Sequence, residues 1–248
     1  NKKLSEPGFC CYTYKHMVDL DHCQKALNIS FNNEILLLQA LVHSSYLNEN
    51  QDFRWPSNER LEFIGDAVLG LVVAERLYSE FPELSEGWLT TMRAYLVCQD
   101  TLAEVASSLK LGDWLLMGRG EDVTGGRSKQ SNLANSLEAL LGAIYLDQGL
   151  SRVKKFIFKQ IEPFLERIKS GEVSLNYKAL LQEFAQKENM SVPIYRVVKV
   201  AGPDHDKRFT VEVIMGDEVI SVGTGKSKKA AEMEASQLAW VKVGYNHG

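Results

Sequence analysis

Cysteine is scarce in this chain and poorly placed for a structural framework. The 248 residues contain four, Cys10, Cys11, Cys23 and Cys98. None forms a CxxC pair, and no His/Cys cluster has zinc-ligand spacing. That excludes a disulfide-stapled domain and a zinc finger, and fits a reducing, cytoplasmic compartment. Long apolar runs are also missing. A run such as Ala67 to Ala74 falls far short of the roughly 18 to 20 residues needed to span a bilayer, and no apolar segment with a small-residue cleavage site stands near the start. The expectation is a soluble protein with no membrane partner. There is no internal repeat, no low-complexity tract and no large excess of either charge.

The net charge of -4 argues at first against a polyanionic partner. Divided along the chain, residues 1–173 carry 18 Lys/Arg against 23 Asp/Glu, net -5, and residues 174–248 carry 10 against 9, net +1. The asymmetry is mild, so local clusters must decide whether nucleic acid is bound. With 45% hydrophobic and 24% charged residues, the composition is that of ordinary folded protein.

From about Asp19 to Ile168 the apolar spacing is helical. Leu61, Ile64, Val68, Leu69 and Val72 follow the i, i+3, i+4 rule, as do Leu133, Leu137, Leu140, Leu141 and Ile144. This predicts an all-α domain of six or seven helices, one starting near Glu59, with a loop over residues 118–130. After the polar stretch "KSGEVSLN" the pattern changes to a helix from about Tyr177, three alternating runs ("IYRVVKV", "KRFTVEVIM", "EVISVGTG") and a closing helix from about Ser227. The second domain is therefore α+β, ordered α-β-β-β-α, with both helices expected on one face of the sheet. The expected divisions are an all-α domain over 19–168, a linker over 169–175 and the α+β domain over 176–244.

"SNERLEFIGDAVLG" places Glu59, Glu62 and Asp66 at intervals of three and four, which stacks them on one face of a helix. A solvated stripe would give the same spacing. Dense apolar neighbours weaken that reading, as does Gly65, which costs roughly 0.5–1 kcal/mol in a helix interior and suggests close approach of another backbone. In "LANSLEALLGAIYLD", Glu138 sits among Leu137, Ala139, Leu140 and Leu141 and needs a partner or a cation to offset its desolvation. Two carboxylate-bearing helices packed together would suit a hard divalent ion such as Mg²⁺.

"NERLEFIGDAVLG", with "FNNEILLLQALVHSSYLNEN" upstream and "LANSLEALLGAIYLD" downstream, resembles the ribonuclease III family. The later segment resembles the double-stranded-RNA-binding domain through "YKALLQEFAQ", "GPDHDKRF" and "GTGKSKKAAEMEA". The resemblance implies a homodimeric, Mg²⁺-dependent endoribonuclease, with Mn²⁺ as a substitute ion. It would hydrolyse both strands of double-stranded RNA to leave 5′ phosphates, acting on rRNA and mRNA precursors. It assigns metal ligation to Glu62, Asp66, position 135 and Glu138, with Asp66 and Glu138 catalytic. Glu59 becomes a supporting residue, and Phe63, otherwise a plain core aromatic, becomes a contact with the partner subunit.

Position 135 departs from the family pattern, which has aspartate where this chain has Asn135. An amide oxygen can coordinate a cation, but a formal negative charge is lost. An engineered inactive form, a natural variant that still cleaves and a natural loss of catalysis all fit. The alternative function is a catalytically silent dsRNA-binding or ribosome-associated protein on the same fold.

A-form RNA is recognised by shape, through 2′-hydroxyls and phosphates. The resemblance places Gln182 and Glu183 in one minor groove and His205 in the next, each otherwise an exposed polar residue. Lys226, Lys228 and Lys229, at a helix N-terminus where cations oppose the macrodipole, would meet phosphates across the intervening major groove.

Overall fold

The computed structural model describes residues 18–170, 177–203 and 207–244. His205 and most of the expected linker lie outside the described residues. In chain order the helices are α1 (Leu20–Leu27), α2 (Glu34–Ala40), α3 (Ser44–Glu49), α4 (Glu59–Glu80), α5 (Glu86–Leu96), α6 (Gln99–Ser108), α7 (Leu111–Trp114), α8 (Arg119–Val123), α9 (Gln130–Gln148), α10 (Leu150–Lys169) and α11 (Tyr177–Lys187). Strands β1 (Ile194–Ala201), β2 (Arg208–Met215) and β3 (Glu218–Gly225) and helix α12 (Lys228–Gly244) follow. None of the described helices is long and apolar enough to cross a membrane.

The contacts divide into two units. One combines the described part of Asn1–Glu80 with Arg93–Glu162; the other combines Phe81–Met92 with the described part of Pro163–Gly248. The first is all-helical and contains more helices than the periodicity predicts. The additions are α3, α7 and α8, of six, four and five residues. These are too short to show an apolar period, and α8 lies inside the stretch expected to be a loop.

Helix α9 is the centre of this unit. It is apolar nearly all round, with buried residues on every face from Asn132 to Ile144, as expected of a helix enclosed by others. It packs on α4, α6 and α2. Two backbone clasps fix its surroundings. The Asp147 carboxylate at its end accepts from the backbone N–H of Asn32 (2.8 Å) and Asn33 (2.9 Å). Ahead of its start, the Arg127 guanidinium donates to the carbonyls of Gly112 (2.9 Å) and Leu115 (2.8 Å) and pairs with Asp122.

In the second unit the antiparallel sheet has the order β1-β2-β3. Val211, Val213, Met215 and Ile220 face a core shared with Leu181, Ala185, Ala231, Ala235 and Ala239, so both flanking helices cover the same sheet face. The fit is close because β3 lacks side chains where α12 presses on it: a Cβ on Gly223 would lie 2.2 Å from the backbone nitrogen of Ala235. Trp88 stacks on Trp240 with ring centroids 4.5 Å apart, and Phe184 meets Trp240 edge-on.

Candidate functional site

The acidic face of α4 is set by how that helix begins. Asn58 is buried; its N–H donates to the Val42 carbonyl at 2.8 Å, and its own carbonyl accepts from Leu61 and Glu62, each at 2.9 Å. From there Glu59, Glu62 and Asp66 follow on one side of the helix. Glu59 is exposed, and its Oε2 accepts from the Ser57 hydroxyl at 2.8 Å, which ties it to the helix entry.

Helix α9 brings Glu138 to this face because glycine stands at both points of closest approach. A Cβ on Gly65 would lie 1.8 Å from the Glu138 carbonyl oxygen, and one on Gly142 would lie 2.1 Å from the Leu61 carbonyl oxygen. The backbones therefore touch between Glu62 and Asp66. Gly65 is the signal the sequence offered; Gly142, inside an apolar helix and equally necessary, was missed.

Half-buried Glu62 and exposed Asp66 are close enough to half-buried Glu138 to oppose its ionisation. The Glu138 carboxyl is pushed up to about 7, first by burial and then by the charges of Asp66 and Glu62. The Glu62 carboxyl is also raised, by burial first and then by Glu59 and Asp66. Half-buried Asn135 lies one turn before Glu138, and its side chain makes no hydrogen bond among the described residues. Among the described residues no three His, Cys, Asp or Glu side chains form a ready metal-holding group. The donor chemistry nonetheless suits a hard divalent cation. Partly buried carboxylates that repel one another are relieved by positive charge, and an amide oxygen can join them.

Phe63, between these acids in sequence, is 81% exposed, so it is not a core aromatic of the unit. Leu71 at 57% and Tyr78 at 75% exposure lie within about 80° of it around the same helix at 3.6 residues per turn, which leaves an apolar stripe along α4 exposed.

In the second unit Gln182 and Glu183 are exposed on α11, with Glu183 accepting from the Ser85 hydroxyl at 3.2 Å. Lys226, Lys228 and Lys229 are exposed where β3 leads into α12. Ser227, where the sequence pattern starts that helix, caps it: its hydroxyl accepts from the Ala230 N–H at 3.1 Å. The lysines are thus fixed around a formed helix N-terminus. Lys228 is 4.0 Å from Glu232, a weak tie for an exposed cation.

Comparison with known proteins gives the same assignment for both parts. The Ribonuclease-III-like family model matches residues 33–165, and the double-stranded RNA binding motif matches residues 177–243. The chain is 46% identical over 222 residues to Ribonuclease 3 of Anoxybacillus flavithermus, covering 89% of this chain and 92% of that protein. It is 44% identical over 223 residues to Ribonuclease 3 of Dehalococcoides mccartyi, covering 90% and 94%. The solved nuclease domain of ribonuclease III from Campylobacter jejuni superposes with a TM-score of 0.54 at 40% identity, covering 58% of this chain and 96% of that one. Matches over both the helical unit and the double-stranded-RNA-binding fold show that the chain belongs to the ribonuclease III family, as an endoribonuclease of double-stranded RNA.

Proposed function

We propose that the chain acts as a cytoplasmic homodimer that cuts both strands of RNA duplexes, using Mg²⁺ (or Mn²⁺) at each carboxylate site, and that precursors of rRNA and mRNA are its substrates. In this reading residues 19–168 form the catalytic domain, 169–175 the linker and 176–244 the RNA-binding domain. The observation that carries it is the half-burial of Glu138 and Glu62, with Glu138 opposed by the charges of Asp66 and Glu62, at a helix crossing that glycines hold closed.

Glu62, Asp66 and Glu138 would hold the cation through carboxylate oxygens, and the Asn135 amide oxygen would join them. When bound there, a divalent cation would supply the positive charge that lowers the pKa of water and offsets charge on the departing 3′ oxygen. Glu138 and Asp66 orient the attacking water in line with the phosphodiester, which leaves a 5′ phosphate. Glu59, held by Ser57, adds negative charge beside Glu62 and supports the site. Phe63 and the apolar stripe of α4 form the contact with a second copy, and two sites across one dimer give staggered cuts. Gln182, Glu183 and His205 address 2′-hydroxyls, and Lys226, Lys228 and Lys229 hold phosphates.

Asn135 at a ligand position favours a second reading, a protein that binds duplex RNA and does not cut it. Incubation of a long, end-labelled RNA duplex with Mg²⁺ separates the two. Cleavage that disappears on Glu138→Gln supports the enzyme; tight binding with no cleavage by the unchanged chain supports the silent form.

A further inference from the structure

Helix α10 carries cations and no acid over its first twelve residues, Leu150 to Ile161. Of these, Lys154 is paired with Glu75 of α4 at 2.5 Å. Arg152, Lys155 and Lys159 are exposed on another side of the helix and have no hydrogen bond or ion pair among the described residues. All three line one cleft of about 180 Å³, together with half-buried Phe156 and the buried side chains of Leu27 and Ile144; no Asp or Glu lines it.

The spacing i, i+3, i+7 sets the three cations in a row, with axial separations of about 4.5 and 6 Å at 1.5 Å per residue. Phe156 lies between Lys155 and Lys159 in sequence and offers a ring within the cleft. A row of cations beside an aromatic ring over an apolar floor is the chemistry that holds a single nucleic-acid strand: the cations follow the phosphates and the ring takes a base.

The position of the cleft selects a strand over a duplex. Ile144 and Glu138 lie six residues apart on α9, which is about 9 Å along the axis and two thirds of a turn around it. A rigid duplex lying over the carboxylates does not bend into a cleft of this size on another side of the bundle; a flexible strand leaving the duplex can reach it. We propose that the cleft between α10 and the end of α1 is an accessory site for single-stranded RNA flanking the duplex that the protein binds. It rests on RNA being the substrate and does not depend on the catalytic assignment.

The test uses the full chain without divalent metal, so that binding is read in the absence of cleavage. Two RNAs share one duplex; one is blunt and the other carries a single-stranded tail of about ten nucleotides. The tail should tighten binding about tenfold, the effect of roughly one stacked base. The triple variant Arg152→Glu, Lys155→Glu, Lys159→Glu should lose that gain and bind the blunt duplex as before. For three strand phosphates, its dependence of log affinity on log salt for the tailed RNA should be shallower by about two. Lys155→Arg, which keeps the charge, should retain the gain. Equal binding of tailed and blunt RNA by the unchanged chain would overturn the proposal, as would equal weakening of both by the triple variant, or the same gain from a base-paired extension. Binding of the tailed RNA with none of the blunt duplex would overturn the duplex reading and the accessory role of the cleft together, whereas the failures named before it leave the duplex reading intact.

Discussion

A β-carbon on Gly65 would lie 1.8 Å from the backbone carbonyl oxygen of Glu138, so the two helices that hold the carboxylates are in direct backbone contact. Because the obstacle is backbone, no side-chain rotation relieves it. Gly65→Ala should cost at least about 3 kcal/mol, the upper part of the range for overpacking, and should abolish cleavage even where the fold survives. Gly142→Ala, which meets the Leu61 carbonyl at 2.1 Å, should do the same. Gly120→Ala, with nothing within 4 Å, should raise stability by about 0.5–1 kcal/mol. Thermal melts of the three variants check this; a Gly65→Ala protein that melts and cleaves like the parent would remove the crossing from the explanation of the site.

Asn135→Asp should restore a fourth charged ligand one turn before Glu138. Removal of residues that merely support a metal site typically costs 10- to 100-fold, so gaining a ligand charge should raise Mg²⁺ affinity and cleavage by about tenfold or more. The parent chain should recover part of the difference in Mn²⁺ or at high Mg²⁺. Titration of metal by calorimetry, alongside cleavage of a long RNA duplex, decides the matter: unchanged affinity in the aspartate form would mean that position 135 does not ligate.

How much of this the sequence disclosed varies with the length scale of the signal. Strands β1 to β3 and helices α4, α9, α11 and α12 were legible because period-two and period-3.6 patterns run long enough to be read. Helices α3, α7 and α8 were not, since they are held by tertiary bonds such as Glu49 accepting from the Arg119 N–H at 2.9 Å and Arg127 reaching the carbonyls around α7. In the site, acid spacing and Gly65 pointed to a second backbone, but what the crossing does to Glu138 depends on distances no pattern contains. The basic row of α10 gave no signal of a site, because only the fold shows that its cations line one cleft.

The raised carboxyl of Glu138 makes the stability of the metal-free protein depend on pH in a defined direction. Its ordinary value is 4.5 and its folded value is about 7, so the folded chain binds this proton more tightly than the unfolded chain. The stability it contributes is present below about pH 4.5, falls as pH rises toward 7 and is absent above that. Glu138→Gln resembles the protonated form at every pH. With a chelator present, the variant should melt above the parent at pH 8, and the gap should close as pH approaches 4.5. Saturating divalent metal should stabilise the parent more than the variant. A gap that does not change with pH would show that the carboxyl is not perturbed.

Phe63, at 81% exposure, tests whether the stripe on α4 is covered by a second copy. Truncating an aromatic anchor at the centre of an interface costs about 2 kcal/mol or more, so Phe63→Ala should weaken self-association by about thirtyfold. The helical content of the chain should be retained. Sedimentation across a concentration series reads the shift; an unchanged monomer-dimer distribution would place the contact elsewhere.

Lys226, Lys228 and Lys229 should govern how salt affects binding to duplex RNA. They surround an N-terminus whose N–H groups are partly satisfied by Ser227, so their charge is turned toward solvent and has only the weak tie to Glu232. If each meets a phosphate, the triple alanine variant should bind a blunt duplex with a log-log salt slope shallower by about two to three, and should lose affinity at physiological salt without any change in sequence preference. Ser227→Ala should cost about 1 kcal/mol of stability through loss of the cap and weaken binding less, because the charges remain. The order of the two variants is the discriminating result. If Ser227→Ala weakened RNA binding as much as removal of all three lysines, the helix end, and not its cations, would be the phosphate-holding element.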